Sequence, residues 1–147
     1  MATLYVMVGI PGAGKTTWAK SHPELDYIGS DELRRELYGK EMTMRGYGRV
    51  HRIMTQQAIS YLLAGRDVVV DSAHITASAR RRLLKDIPPH VRRVAVFLHT
   101  PLKQAFHNNR QRIRHVPEAG ITALHCLLDP PTKQEGFDEI IYVRYED

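Results

Sequence analysis

The sequence predicts an α/β fold: a five-stranded parallel sheet covered by helices on both faces. Three observations carry that expectation. Short apolar runs alternate with segments of helical periodicity along the whole chain. The run Val68-Val69-Val70 is continuously apolar, as a strand buried on both faces must be. The stretches between strands provide helical crossovers, which parallel neighbours require.

The elements follow in order. Thr3 to Val8 is apolar and β-rich and reads as a buried strand. Gly9 to Thr17 is a glycine-rich turn opening a helix that Pro23 ends. Tyr27-Ile28 is a second, short strand. Ser30 is placed to cap the next helix, which carries Asp31, Leu33, Arg34 and Leu37 and stops near Gly39. A longer helix runs from about Tyr47 to Ala64, with Val50, Ile53, Met54, Ala58, Tyr61 and Leu62 at helical spacing. Gly65 suits the position just past its end.

Asp67 to Asp71 is the third strand, and Thr76 or Ser78 starts a helix through Ala79, Leu83, Leu84 and Ile87 that Pro88-Pro89 closes. Val91 to Leu98 is the fourth strand. Thr100 is expected to cap the following helix with Pro101 at its first position. Leu102, Ala105, Phe106 and Ile113 would form its apolar stripe. Pro117 opens another helix, with Ile121, Leu124 and Leu128 on one face, which Asp129-Pro130-Pro131 ends. Ile140 to Val143 is the fifth strand.

At 147 residues the chain matches one domain, so residues 1–147 are expected to form a single unit. Apolar residues at 43% and charged residues at 25% disfavour disorder, collagen and coiled coil. No apolar run approaches the ~18 residues of a membrane span. The first apolar stretch has no basic flank and runs into a motif, so it does not read as a signal peptide. Lys plus Arg is 21 against 16 Asp plus Glu, a net charge of +5 that permits an anionic partner without demonstrating one. Cys126 is the single cysteine, which rules out an intramolecular disulfide and a Cys-x-x-Cys motif. A reducing, cytoplasmic compartment is the expectation. The eight histidines show no metal-ligand spacing.

Gly9-Ile10-Pro11-Gly12-Ala13-Gly14-Lys15-Thr16 matches G-x-x-x-x-G-K-[ST] in full, between a strand and a helix as that motif requires. Glycines let backbone N–H groups converge on phosphate oxygens without Cβ clashes. A helix beginning there adds positive potential. Lys15 would neutralise the β- and γ-phosphates, and the Thr16 hydroxyl would ligate Mg²⁺. The guanine-specific Asn-Lys-x-Asp signature is absent from the sequence, which favours ATP over GTP.

Asp31 follows the second strand, at the carboxyl edge where open α/β sheets bind ligands. Arg34, three residues on, shares its helical face. The pair can act as a proton acceptor beside an anion-binding arginine, or as a helix cap with an ion pair. Asp71 ends the Val68-Val69-Val70 strand in a Walker-B-like position, where it would support Mg²⁺, orient the acceptor or cap the next turn.

Nearly all of the chain resembles the polynucleotide 5′-hydroxyl kinase family, a branch of the small AAA-type P-loop kinases. The resemblance rests on Gly9-Ile10-Pro11-Gly12-Ala13-Gly14-Lys15-Thr16-Thr17-Trp18-Ala19, on Ser30-Asp31-Glu32-Leu33-Arg34 and on Asp71-Ser72-Ala73-His74. Val116-Pro117-Glu118 and Glu135-Gly136-Phe137-Asp138-Glu139-Ile140 are similar to segments of the wider kinase family. It implies a P-loop NTPase three-layer sandwich with strand order 2-3-1-4-5 and a helical lid over about residues 103–128.

The resemblance further implies ATP and Mg²⁺ as cofactors and 5′-OH ends of DNA or RNA as acceptor. Gly9, Pro11, Gly12, Ala13, Gly14, Lys15, Thr16 and Thr17 would hold the nucleotide phosphates. Asp31 would be the general base, Arg34 the grip on the acceptor phosphate, and Asp71 a supporting carboxylate. Arg112 best matches the essential lid arginine, with Arg110 and Arg114 as alternatives. Adenine would lie between the lid and the loop around Pro131 to Phe137. Two positions depart from the family pattern: Asn108-Asn109 replaces Arg-Asn, and His74 replaces an Asn. The alternatives are kinases of a small hydroxyl acceptor (nucleoside, sugar or antibiotic) and an ATP-binding regulatory module without transfer. Arg80-Arg81-Arg82 and Arg92-Arg93 could line a nucleic-acid path, or be solvated charges.

Overall fold

The computed structural model describes residues 2–39, 47–112 and 115–144. Strands β1 (Thr3–Val8), β2 (Asp26–Gly29), β3 (Val68–Asp71), β4 (Arg92–His99) and β5 (Glu139–Arg144) form one sheet in the order β2-β3-β1-β4-β5. All four pairings are parallel. The helices are α1 (Lys15–Lys20), α2 (Ser30–Tyr38), α3 (Tyr47–Leu63), α4 (Ala77–Leu84), α5 (Leu102–Arg110) and α6 (Glu118–Leu127). A short 3₁₀ turn at Lys133–Glu135 precedes β5.

Period-two alternation in the strands divides the core into two layers. Leu4, Val6, Ile28, Val68 and Val70 pack against Leu33 of α2, Val50, Met54 and Leu62 of α3, and Leu83 and Leu84 of α4. Met7, Val69, Val96 and Leu98 face the other way, onto Ala19 of α1, Ala105 of α5 and Ile121 of α6. The three-layer sandwich and its strand order agree with the expectation. Register pairs Gly29 with Asp71 and Val6 with Val70, so β1, β2 and β3 deliver their carboxyl ends to one edge.

Several local expectations shift. Ser30 is not the cap of α2. Gly29 takes the N-cap position, and Ser30 is the first helical residue, buried. Thr100 does not cap α5 either: Pro101 stands at the N-cap, and the Thr100 hydroxyl donates to the Ala13 carbonyl at 2.9 Å. Thr76 is the cap of α4, its side chain accepting from the Ala79 amide. Helix α5 ends at Arg110, and Ile113 lies outside the described residues.

The basic cluster at Arg80 is a larger departure. Arg80 is fully buried, neither solvated nor on a path for nucleic acid. Its Nε and Nη2 donate to the two Glu135 carboxylate oxygens at 2.5 and 3.1 Å, and Nη1 donates to the carbonyls of His74 and Ile75 at 2.8 and 3.2 Å. Arg93 donates to the Ile87 carbonyl, and Arg92 pairs with Glu139. Breaking a buried pair strands the surviving charge. Arg80→Ala is therefore expected to cost about 3–5 kcal/mol of unfolding free energy in a denaturant titration. An apolar replacement of both Arg80 and Glu135 should cost less than Arg80→Ala alone, since no charge is then left unpaired.

Candidate active site

The carboxyl edge of β1, β2 and β3 opens into a cleft of about 1180 Å³. Lys15, Thr16, Asp31, Arg34, Asp71 and Arg112 all line it. The same cavity includes Pro11, Gly12, Ala13, Gly14 and Thr17. Gly9 sits at the loop base, where its amide donates to the Ala73 carbonyl at 3.2 Å.

The loop requires glycine at two points. Gly12 has φ +85°, and a Cβ there would collide with the backbone carbonyl of Ala105 in α5. Gly14 has φ +97° at the N-cap of α1. Helix α5 therefore packs directly on the loop, and the Asn108 amide donates to the Gly12 carbonyl at 2.8 Å. The departure at Asn108 thus supplies a loop contact in place of a cation.

Lys15 Nζ donates to the carbonyls of Gly9 and Ile10 at 3.0 and 3.1 Å. Desolvation among these atoms lowers its pKa, while Asp71 and Asp31 pull it back up. Thr16 Oγ1 donates to Asp71 Oδ2 at 2.7 Å, and Tyr27 Oη donates to the same oxygen at 2.5 Å. Burial first, then Asp71, raises the Tyr27 pKa, so the phenol stays protonated and donating. Tyr27 was not among the predicted site residues. A signal for it exists: Tyr27 and Gly29 share one strand face, and a Cβ on Gly29 would lie 2.6 Å from the phenol oxygen.

Asp31 stands between two arginines. Arg34 Nη1 lies 3.2 Å from Oδ1, and Arg112 Nη2 lies 3.7 Å from Oδ2. Arg34 Nε is a buried donor with no hydrogen-bond partner. Arg110 instead pairs with Glu118 at 3.0 Å on the surface, and Arg114 lies outside the described residues. The loop carrying Arg112 is closed by Asn109, whose amide group donates to the Val116 carbonyl at 2.7 Å and accepts from the Val116 amide at 2.9 Å. This staple joins positions seven residues apart, so it was not visible in local sequence.

The residues expected around adenine do not line the cleft. Glu135 and Phe137 are buried, and from the chain after β4 the cavity lining includes Thr100, Asn108, Arg112, Val116, Leu124, Val143 and Arg144. For Glu135 the physical reason is Arg80, which pairs with it in the interior.

Thr16 and Asp71 offer a hydroxyl and a carboxylate oxygen in contact, the hard donors that Mg²⁺ prefers. Among the described residues no group of three or more His, Cys, Asp or Glu could cage a metal.

The fold and its loop define a P-loop kinase-like domain. A family model described as AAA domain (AAA_33) matches residues 4–131, and the chain belongs to that family. Solved structures share the fold at low identity. A chain of the Pnkp1/Rnl/Hen1 RNA repair complex aligns with a TM-score of 0.75 and 17% identity, over 86% of this chain and 44% of that one. A sugar kinase from Janibacter sp. HTCC2649 aligns at 0.72 and 18% identity, covering 98% of this chain and 86% of that one. Kti12 from Chaetomium thermophilum, in complex with ADP-AlF3, aligns at 0.67 and 18% identity, over 98% and 90%. No described helix is long and apolar enough to cross a membrane.

His74 lines the same cleft and has φ +48°, held by its Nδ1 against the Met7 carbonyl at 2.9 Å. Desolvation lowers its pKa to about 4. A folded-state pKa below the unfolded value near 6.5 means that protonation favours unfolding. The stabilisation is present above pH 6.5 and is lost as pH falls toward 4. Its size is up to about 3 kcal/mol, reduced by whatever solvent reaches the ring. His74→Asn should flatten the fall in stability between pH 7 and 4, and the His74 ring resonance should stay neutral down to pH 5 in an NMR titration.

Proposed function

We propose that this protein is a Mg²⁺-dependent ATP phosphotransferase acting on 5′-hydroxyl ends of DNA or RNA. The observation that carries the reading is the Asp31 carboxylate in the cleft, flanked by Arg34 and Arg112. Its field also reaches Lys15. A base for the acceptor hydroxyl and cations for the phosphoryl group thus share one cavity.

The loop amides and Lys15 hold the β- and γ-phosphates, the ammonium exchanging its loop carbonyls for phosphate oxygens. Thr16 and Asp71 would hold Mg²⁺, which would supply charge neutralisation at the phosphates. Asp31 takes the proton of the 5′-hydroxyl as that oxygen bonds to the γ-phosphorus. The bond from phosphorus to the bridging oxygen breaks, and ADP leaves. Arg112, already beside Asp31, stabilises charge on the transferred group. Arg34 Nε, buried and unpartnered, provides a donor for an acceptor phosphate. Residues 1–147 act as one domain, and α5 with α6 acts as its lid.

The test is label transfer from γ-labelled ATP to 5′-OH DNA and RNA oligonucleotides, with 5′-phosphorylated oligonucleotides as control. Lys15→Ala should abolish transfer. Asp31→Ala should lower kcat by about 10²–10⁴-fold while ATP binding is retained. Near-normal transfer in that variant would remove Asp31 as the base. Arg34→Ala should raise KM for the acceptor more than KM for ATP. Label on no oligonucleotide, with ATP bound, would shift the acceptor to a small molecule.

A further inference from the structure

A second concavity, of about 620 Å³, lies between α3 and the end of α4. Its lining includes His51, Arg52 and Thr55 from one stripe of α3, and Arg82, Lys85 and Asp86 from α4 and its exit. His51, Thr55 and Arg82 also line the main cleft, so the two spaces adjoin through those side chains. The groove therefore leads away from the site that holds Asp31 and Arg34.

Its charge is one-sided. Arg52, Arg82 and Lys85 are exposed, and Asp86 is the one carboxylate in the lining. Among the described residues, no side-chain hydrogen bond or ion pair engages Arg52, Arg82 or Lys85. Other cations behave differently: Arg66 pairs with Asp26, Arg92 with Glu139 and Arg110 with Glu118. The local field is felt by His51, whose pKa is lowered by burial and then by Arg82, with Asp86 opposing and Lys85 adding to the depression. A row of unpaired cations at the wall of a groove suits a chain of phosphates, which spaces anions along a path.

We infer that the α3–α4 groove is an anion-binding extension of the cleft, holding a backbone phosphate of the acceptor beyond the one next to the reacting end. The inference rests on the proposed acceptor class and sharpens it. The preferred acceptor is then a phosphodiester chain of at least two nucleotides, which gains a contact that a single nucleotide cannot make. Arg82 stands at the junction, while Arg52 and Lys85 contact the chain farther along.

The experiment compares two acceptors, a nucleoside 3′-monophosphate with a free 5′-hydroxyl and a 5′-OH decanucleotide. The wild-type protein is measured beside Arg52→Ala/Lys85→Ala and the charge reversal Arg52→Glu/Lys85→Glu. The alanine pair should raise KM for the decanucleotide by roughly 10-fold at low salt. Its salt slope should fall by about 1.4, for two lost contacts at ~0.7 each. KM for the mononucleotide and for ATP should stay unchanged, which also reports an intact fold. Charge reversal should enlarge the effect on the decanucleotide alone. An unchanged decanucleotide KM in both variants overturns the groove and leaves the kinase reading standing. So does equal loss on both acceptors, or a wild-type protein that gains nothing from the longer one. A wild-type protein that labels neither acceptor overturns the kinase reading and the groove with it.

Discussion

A fully buried guanidinium is the constraint around which the rest of this structure is arranged. Arg80 has no water to solvate it, so its charge must be met inside the protein. Glu135 meets it with both oxygens from 55 residues away, and the carbonyls of His74 and Ile75 take another N–H group. The turn after β3 is thereby fixed to the segment that enters β5. That same turn supports the phosphate loop: Ala73 accepts from the Gly9 amide, and His74 holds the Met7 carbonyl at the end of β1. The left-handed conformation of His74, a strain of about 1–3 kcal/mol in general, persists because these partners leave the backbone no alternative.

The cleft shows a second regularity. Its reactive groups already have partners that resemble what a ligand would bring. Lys15 rests on two carbonyl oxygens, where phosphate oxygens would serve as well. The Thr16 hydroxyl donates to Asp71, which leaves its own lone pairs free for a cation. Arg34 and Arg112 share the carboxylate of Asp31. Such exchanges cost little, because one polar contact replaces another without exposing a bare charge. Arg34 Nε is the exception, a buried donor still without an acceptor.

What the sequence made legible follows from the range over which each interaction acts. The Gly9–Thr16 loop, the valine strand and the stop at Gly65 are set by neighbouring residues and stand where local patterning put them, and of the two helix starts it offered, Thr76 and Ser78, Thr76 is the cap. The convergence of Lys15, Asp31, Asp71 and Arg112 in one cleft was also expected, the first two by motif and edge position. What was not legible depends on chain return. Whether Arg80 is solvated or buried is decided by Glu135, and Asn109 becomes a staple only because Val116 comes back to it. The shift of capping from Thr100 to Pro101 has the same origin, since the hydroxyl is claimed by Ala13, 87 residues away.

The same reasoning changes how the basic composition should be weighed. A net charge of +5 is uninformative as a sum, because it does not say where carboxylates follow cations. In the folded chain Arg66, Arg80, Arg92 and Arg110 are each matched by an acidic partner, and their fields are locally cancelled. At the α3–α4 groove three cations meet one carboxylate. An electrostatic footprint for a polyanion is therefore a matter of failed pairing rather than of total charge. Of the sequence run Arg80-Arg81-Arg82, the first member is consumed by the core and the last faces the groove. Adjacent residues on a helix point about 100° apart, so one basic run supplies both a structural charge and a surface one.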